Sequence, residues 1–167
     1  RAAKKYTQTW TSNMSVVGKP RVKAVSGKPY TEIAYTPDLS RFNWPGGVVP
    51  TAIPEDMLAV IATRVVDAAA CAGKDCRVTL NGVALGHNTF PKYIGLYLSA
   101  DAGEGKHVAY EAAGERWEVG AILTKDLHGD APPDERHISF VNGIATRRGG
   151  SHVQYVSKHV LAEFCAY

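Results

Sequence analysis

The sequence is poor in the features that mark secreted, metal-bound or membrane proteins. It has three cysteines, and Cys71, Cys76 and Cys165 form no CxxC pair and have no histidine at zinc-ligand spacing. Neither a disulfide framework nor a structural metal site is therefore expected, and reduced thiols fit the pattern. No apolar run approaches the about 20 residues that cross a bilayer, and no basic start followed by an apolar stretch suggests a signal peptide. These absences predict an intracellular protein with no membrane partner.

A strong overall charge is also lacking. Lysine and arginine number 19 and aspartate and glutamate 16, which gives a net charge of +3 and a pI near 8.8. Any contact with nucleic acid must therefore come from a local basic patch. The 167 residues are 45% hydrophobic, enough for one domain or two small lobes. The chain begins at Arg1 without a methionine and already in a strand-like pattern, so we expect an excerpt of a longer polypeptide.

Patterns of self-contained catalysis are missing as well. There is no Walker A loop and no GxGxxG after a strand, which argues against an independent nucleotide site. Ser151 and His152 are adjacent, so they cannot act as a nucleophile and its base, and no carboxylates pair on one helix face. Of the six histidines, only His152 and His159 could share a helix face. The sequence predicts no catalytic residue and no metal ligand.

Turn-forming residues divide the first half of the chain into strands, a loop and a helix. Three strand-like runs, predicted as an antiparallel meander, lie at residues 6–10, 21–25 and 31–36. The proline- and glycine-rich stretch 43–54 reads as a loop. From Pro54 to Ala72 apolar residues recur every three or four positions, with acidic residues in the first turn, which predicts a helix.

The second half alternates short strands and helices. A hairpin is predicted at residues 77–85 because Asn81-Gly82 suits a tight turn with positive φ. Further predictions are a helix at 89–98, a hairpin of 107–111 with 115–124, loops at 99–106 and 126–135, a strand at 136–141, and a helix that Ser151 caps. This order predicts an α+β fold with two lobes that meet near residue 75.

The most suggestive segment for ligand binding is residues 142–152, between the last strand and the last helix. Arg147 and Arg148 offer forked donors that match phosphate, and Gly149, Gly150 and Ser151 open a helix whose free N–H groups favour an anion. A phosphate or DNA-backbone contact is therefore a candidate. The alternative is an ordinary strand-to-helix connection with both arginines in solvent.

Aromatic residues are a second potential nucleic-acid contact. Trp10, Trp44, Trp117 and most of the tyrosines are spaced as strand or helix residues, which favours core packing. Trp44 differs because it lies in the loop 43–54, where it could stack on a base.

Several stretches, in the correct order, resemble the type IIA DNA topoisomerases of eukaryotes and large viruses. The resemblance extends over nearly the whole chain and rests on YTQTWTSNMS, KPYTEIAYTPDLSRF, EDMLAVIATRVVDAAACAGKDCRVTLNG, FPKYIGLYL, ERWEVG and ISFVNGIATRRGGSHVQYV. The last stretch is similar to a family pattern close to FVNSIxTxxGGTHVxYV. Gly143 and Ser151 depart from it, since serine and threonine are usual there.

The resemblance implies a duplex-passage enzyme that is driven by ATP and Mg, works as a homodimer on a DNA duplex, and is nuclear or, if viral, in the viral DNA compartment. It assigns residues 1–75 to the end of a GHKL ATPase domain, with its closing strands and last helix. Residues 76–167 would begin a transducer domain, a ribosomal-protein-like β-α-β unit that couples ATP-driven gate closure to the cleavage core. The ATP, Mg and DNA-cleaving residues of the family lie outside this chain, so the fragment alone is expected to be inactive.

Two other interpretations stay open at this point. One is a non-catalytic nucleic-acid-binding α+β module that would bind DNA without an ATPase. The other is a relative of mismatch-repair ATPases, which the GG-S/T-H continuation at residues 149–152 disfavours.

Overall fold

The structure is a computed structural model that describes residues 3–98, 108–127 and 137–166, except the side chain of Phe164. The predicted loop 99–106 and most of the loop 126–135 lie outside these ranges. Contacts divide the chain into two compact units, Arg1–Pro54 and Glu55–Tyr167. The fold is mixed α and β with small antiparallel sheets, which confirms the α+β prediction at that level.

The first unit contains a long hairpin interrupted midway. Strand β1 (Lys4–Thr7) pairs antiparallel with β4 (Arg21–Ala24), and β2 (Trp10–Thr11) pairs with β3 (Val16–Val17). The chain reverses through Ser12, Asn13 and Met14, all at positive φ. The single strand predicted at 6–10 is thus two strands. Gly18 lies at the interruption, where a Cβ would come within 2.6 Å of the carbonyl oxygen of Thr9, so a larger residue is excluded without a backbone shift.

The prediction of a third strand in the meander, at residues 31–36, is wrong. Residues 31–36 form no ladder, and Ile33 and Tyr35 are 83% and 78% exposed. Their alternating pattern suits a strand, but a strand needs a partner for its backbone groups, and none of the described residues pairs with it. The loop that follows is ordered locally: Trp44 donates from Nε1 to the carbonyl of Leu39 at 2.6 Å.

Helix α1 (Glu55–Ala72) opens the second unit and confirms the predicted helix within one residue. Glu55 and Asp56 occupy its first turn, where negative charge favours the helix dipole, and Gly73 follows its end at φ 76°. Its apolar stripe remains largely uncovered in the described structure, since Leu58 and Ile61 are 48% and 42% exposed.

Two predicted hairpins and the short helix between them are confirmed. Strands β5 (Thr79–Leu80) and β6 (Val83–Ala84) flank Asn81 and Gly82, whose φ values of 51° and 82° fit the tight turn that this dipeptide predicts. Helix α2 (Phe90–Ile94) continues into a 3₁₀ turn at Gly95–Tyr97. Strands β7 (Val108–Ala113) and β8 (Trp117–Ile122) form the larger hairpin.

The last part of the chain differs from its prediction in two places. The strand predicted at 136–141 is only β9 (Phe140–Val141), and Asn142-Gly143 turns it back into β10 (Ile144–Ala145). Helix α3 (Ser151–Cys165) begins at Ser151 itself, with Gly150 as the N-cap residue. The predicted Ser151 cap is therefore wrong.

Little of the described chain is deeply buried. Ala69, Tyr93 and Ile94 are its buried hydrophobic residues, at 0%, 2% and 7% exposure, and they lie where α1 meets α2. Many large apolar side chains of the described residues are exposed instead, among them Ile33, Val48 and Ile144 at 83%, 75% and 70%.

Candidate nucleic-acid interface

The two candidate arginines occupy the corners of a tight turn. The N–H of Gly149 donates to the carbonyl of Thr146 at 2.9 Å, so Arg147 and Arg148 are the central residues between them. Both side chains are exposed. Placed side by side on a turn, two exposed guanidinium groups can reach neighbouring phosphates.

A small polar cluster holds the base of this turn. The hydroxyls of Ser139 and Thr146 lie 2.6 Å apart, and the Thr146 hydroxyl is 3.1 Å from Nε2 of His152. The Thr146 N–H also donates to the Ser139 carbonyl at 2.7 Å. These bonds connect the segment before β9, the residue after β10 and the first turn of α3, so the arginine turn starts from a defined base.

The glycines of the turn are required by the backbone. Gly149 has a φ of 72°, and a Cβ there would lie 3.2 Å from Nε2 of His137. Gly150 has a φ of 155°, and a Cβ there would lie 2.9 Å from Cε1 of His152. A side chain at either position would therefore be strained. Helix α3 starts immediately afterwards with no side-chain cap, which leaves the N–H groups of Ser151 and His152 available, whereas that of Val153 donates to the carbonyl of Gly150 at 3.1 Å.

A cavity of about 190 Å³ lies behind the turn. Its wall combines side chains from α1, from α2 and its 3₁₀ extension, and from the segment 137–147: Thr63, Asp67, Tyr93, Tyr97, His137, Ile138, Ser139, Ala145 and Arg147. Nε2 of His137 is enclosed with no hydrogen-bond partner among the described atoms. The arginine turn thus shares a cavity with the contact between α1 and α2.

That contact is made by a buried chain of hydrogen bonds. The Tyr93 hydroxyl donates to Oδ1 of Asp67 at 2.7 Å and lies 2.9 Å from the Tyr97 hydroxyl. Asp67 is 8% exposed and also lies 3.5 Å from the guanidinium of Arg64. Burial raises the pKa of the Tyr93 hydroxyl far above its ordinary value of 10.0, and hydrogen bonds with Tyr97 and Asp67 add to the rise.

This raised pKa predicts how stability depends on pH. Because Tyr93 is harder to ionise when folded, its contribution to stability is complete below pH 10.0 and declines as the pH rises above that value. In urea unfolding between about pH 8 and pH 11, we expect wild type to lose up to about 1.4 kcal/mol per pH unit relative to Tyr93→Phe above pH 10. Other ionising groups are common to both proteins, so a constant difference across this range would contradict the prediction.

The other candidate functional residues do not lie together in the structure. His152 is engaged with Thr146, while His159 contacts the ring of Tyr155 with centroids 4.4 Å apart, so each has its own partner. Trp44, the candidate for base stacking, is half-buried and packs edge-on against Phe42 at 6.2 Å. Across residues 3–98, 108–127 and 137–166, no three histidine, cysteine or acidic side chains form a potential metal site. Nor does any helix of those ranges have the length and apolar character to cross a membrane.

Comparison with known proteins gives one consistent result. No protein-family model matches the chain. It is 36% identical over 163 residues to DNA topoisomerase 2-alpha of Gallus gallus, which covers 96% of the chain. It is 34% identical over 165 residues to DNA topoisomerase 2 of Drosophila melanogaster, and 34% over 163 residues to that of Arabidopsis thaliana, covering 96% and 94% of the chain. The chain spans 10% of the length of each of these relatives.

Identity at this level along nearly the entire chain identifies it as a segment of a type II DNA topoisomerase. Within that class, the chain belongs to the family of the eukaryotic DNA topoisomerase 2 proteins.

Proposed function

We propose that the natural polypeptide containing this chain, here called the parent, is an ATP-dependent type IIA DNA topoisomerase. It would pass one DNA duplex through a transient double-strand break in another. The similarity to proteins named DNA topoisomerase 2 over 94–96% of the chain carries this proposal. The large exposed apolar surface supports it, because a segment that spans a tenth of such a protein leaves its packing partners elsewhere.

Within the parent, this segment would couple ATP-driven gate closure to the cleavage core. Residues 1–75 would end the GHKL ATPase domain and residues 76–167 would begin the transducer, so α1 would be the last ATPase helix. A nucleotide-driven switch must bind one of two domain arrangements much more tightly than the other. Reversing a 1:99 population of the two arrangements takes a difference in binding free energy of about 5.5 kcal/mol. The firm contact of α1 with α2 across this boundary supports a role in transmission.

The proposed partner of the arginine turn is the DNA duplex. Arg147 and Arg148 would contact phosphates, and the backbone of Gly149, Gly150 and Ser151 would accept a close approach at the start of α3. The exposed position of both guanidinium groups on a fixed turn supports this assignment. ATP and Mg would bind elsewhere in the parent, which would be a nuclear homodimer or, in a viral lineage, work in the viral DNA compartment.

The proposal is tested by the activity of the purified parent. We expect it to unlink catenated circular DNA in the presence of ATP and Mg, and to stop when a non-hydrolysable ATP analogue replaces ATP. The 167-residue chain alone should neither hydrolyse ATP nor unlink DNA. A parent that binds DNA but fails to unlink it under any nucleotide condition would instead support the non-catalytic binding module.

A further inference from the structure

The side chain of Tyr93 links α1 to the strand that leads to the arginine turn. Its hydroxyl donates to Asp67 of α1 at 2.7 Å, and its ring meets Phe140 of β9 edge-on, with centroids 5.7 Å apart and an interplanar angle of 74°. At 2% exposure, Tyr93 is fully enclosed between these neighbours. One residue of α2 therefore contacts both α1 and the strand that leads to the arginines.

We propose that Tyr93 is a positioning residue that makes α1 and the arginine turn move together, and so couples DNA capture to ATP hydrolysis. The inference rests on the proposed function, in which α1 belongs to the ATPase domain and the turn contacts DNA. Tyr93 itself touches neither nucleotide nor DNA. It acts through Asp67 on one side and Phe140 on the other.

The first argument is that the buried part of α1 lies beside this joint. Asp67 and Ala69 are its buried residues, and both lie near its end, whereas Leu58 and Val60 are 48% and 49% exposed. A movement of α1 can pass to the following elements only where packing is dense enough to transmit it. The joint at Tyr93 adjoins this buried part of α1, which also approaches the β9–β10 turn, where a Cβ on Gly143 would lie 3.8 Å from Cβ of Cys71.

The second argument is that the path from Tyr93 to the arginines is short and rigid. Strands β9 and β10 are each two residues long and are paired residue by residue. Thr146 follows directly and is bound to Ser139 and His152, and Arg147 comes next. A shift of Phe140 therefore changes the base of the arginine turn with no flexible linker between them.

The third argument concerns the chemistry of the joint. A hydroxyl–carboxylate bond has a preferred distance and angle, unlike an apolar contact that tolerates sliding. Replacing Tyr93 with phenylalanine removes this directional bond and keeps the ring against Phe140. The substitution should therefore loosen the coupling while it preserves both partners.

The test uses the full parent with Tyr93→Phe, and measures ATP hydrolysis with and without DNA together with the salt dependence of DNA binding. We expect the stimulation of hydrolysis by DNA to fall about threefold or more, as substitutions along a coupling path do. Hydrolysis without DNA and the salt slope of DNA binding should keep their wild-type values. A purely structural role would lower stability without changing this ratio.

Two further variants sharpen the result. Asp67→Asn keeps a carbonyl acceptor for the Tyr93 hydroxyl, so it should retain most of the stimulation of hydrolysis by DNA. The double variant Asp67→Asn with Tyr93→Phe should lose little more stimulation than Tyr93→Phe alone, because both changes affect the same hydrogen bond. Tyr155→Phe also removes one hydroxyl in the same unit, but Tyr155 is 61% exposed, so stimulation should stay unchanged.

The outcomes separate this inference from the function on which it rests. Stimulation at the wild-type level in Tyr93→Phe would overturn the role of Tyr93 and leave the proposed enzyme intact. A changed salt slope in this variant would also overturn it, since Tyr93 would then act through DNA binding itself. A wild-type parent whose ATP hydrolysis does not respond to DNA would refute the proposed coupling function and the inference with it.

Discussion

Replacing Arg147 and Arg148 together with glutamate is expected to weaken DNA binding by the parent by about tenfold or more at moderate salt. The two exposed guanidinium groups on the turn would become carboxylates that repel phosphate. Each lost phosphate contact should also make the log–log salt dependence shallower by about 0.9, so the double variant should lose roughly two units of slope. DNA-stimulated ATP hydrolysis should weaken in parallel, whereas hydrolysis without DNA should not.

A charge-matched control separates contact from bulk charge. Arg116→Glu with Lys125→Glu makes the same change in net charge at two other exposed positions of the second unit. This control should lower the affinity for DNA slightly, through the electrostatic field of the whole protein, and leave the salt slope of DNA binding close to that of wild type. If the arginine variant keeps the wild-type slope and stimulation, or if the control matches it, the two arginines are ordinary surface residues.

Elements whose signals are local were predictable from the sequence. The helix α1 follows from apolar residues at three- and four-residue spacing between Pro54 and Gly73, and its own backbone satisfies its hydrogen bonds. The turn at Asn81-Gly82 follows from the positive φ that this pair tolerates. The same signal was present at Asn142-Gly143, with φ of 51° and 77°, and reading it as a hairpin would have found β10.

Elements that depend on distant partners were not predictable. The alternating residues 31–36 suit a strand, but a strand exists only where another lies beside it, and the pattern says nothing about where that partner is. The cap of α3 was missed because Gly150 serves through its backbone alone, at a φ of 155° that no side-chain rule anticipates.

The candidate site shows the same division. Adjacent arginines before a helix start could be selected from sequence, but the cavity behind them could not, since Asp67 and Tyr93 are 26 residues apart. One signal was available: Asp67 is the single acidic residue in the apolar run between Arg64 and Ala72. A lone carboxylate on an otherwise apolar helix segment needs a buried partner, which directs attention to tyrosines elsewhere.

Asp67→Ala is expected to destabilise the joint between α1 and α2 by about 2–3 kcal/mol, measured as local opening. The substitution removes the acceptor for the hydroxyl of Tyr93, a residue that is 2% exposed, and the remaining contact with Tyr97 cannot satisfy both hydroxyls equally well. Arg64 adds little to this cost, because its side chain is 47% exposed and its pairing with Asp67 is screened by water.

Amide hydrogen exchange in the parent measures this local effect directly. Exchange in the last two turns of α1 and in α2 should accelerate by roughly 30- to 150-fold in Asp67→Ala, the equivalent of that free energy. Asp75→Ala, at an exposed position in the loop after the same helix, should leave exchange unchanged. Asp67→Asn should lie between them, since an amide oxygen still accepts the Tyr93 hydroxyl but carries no charge. Equal protection in wild type and Asp67→Ala would mean that apolar packing around Ala69 and Ile94 holds the helices together without the hydrogen bonds.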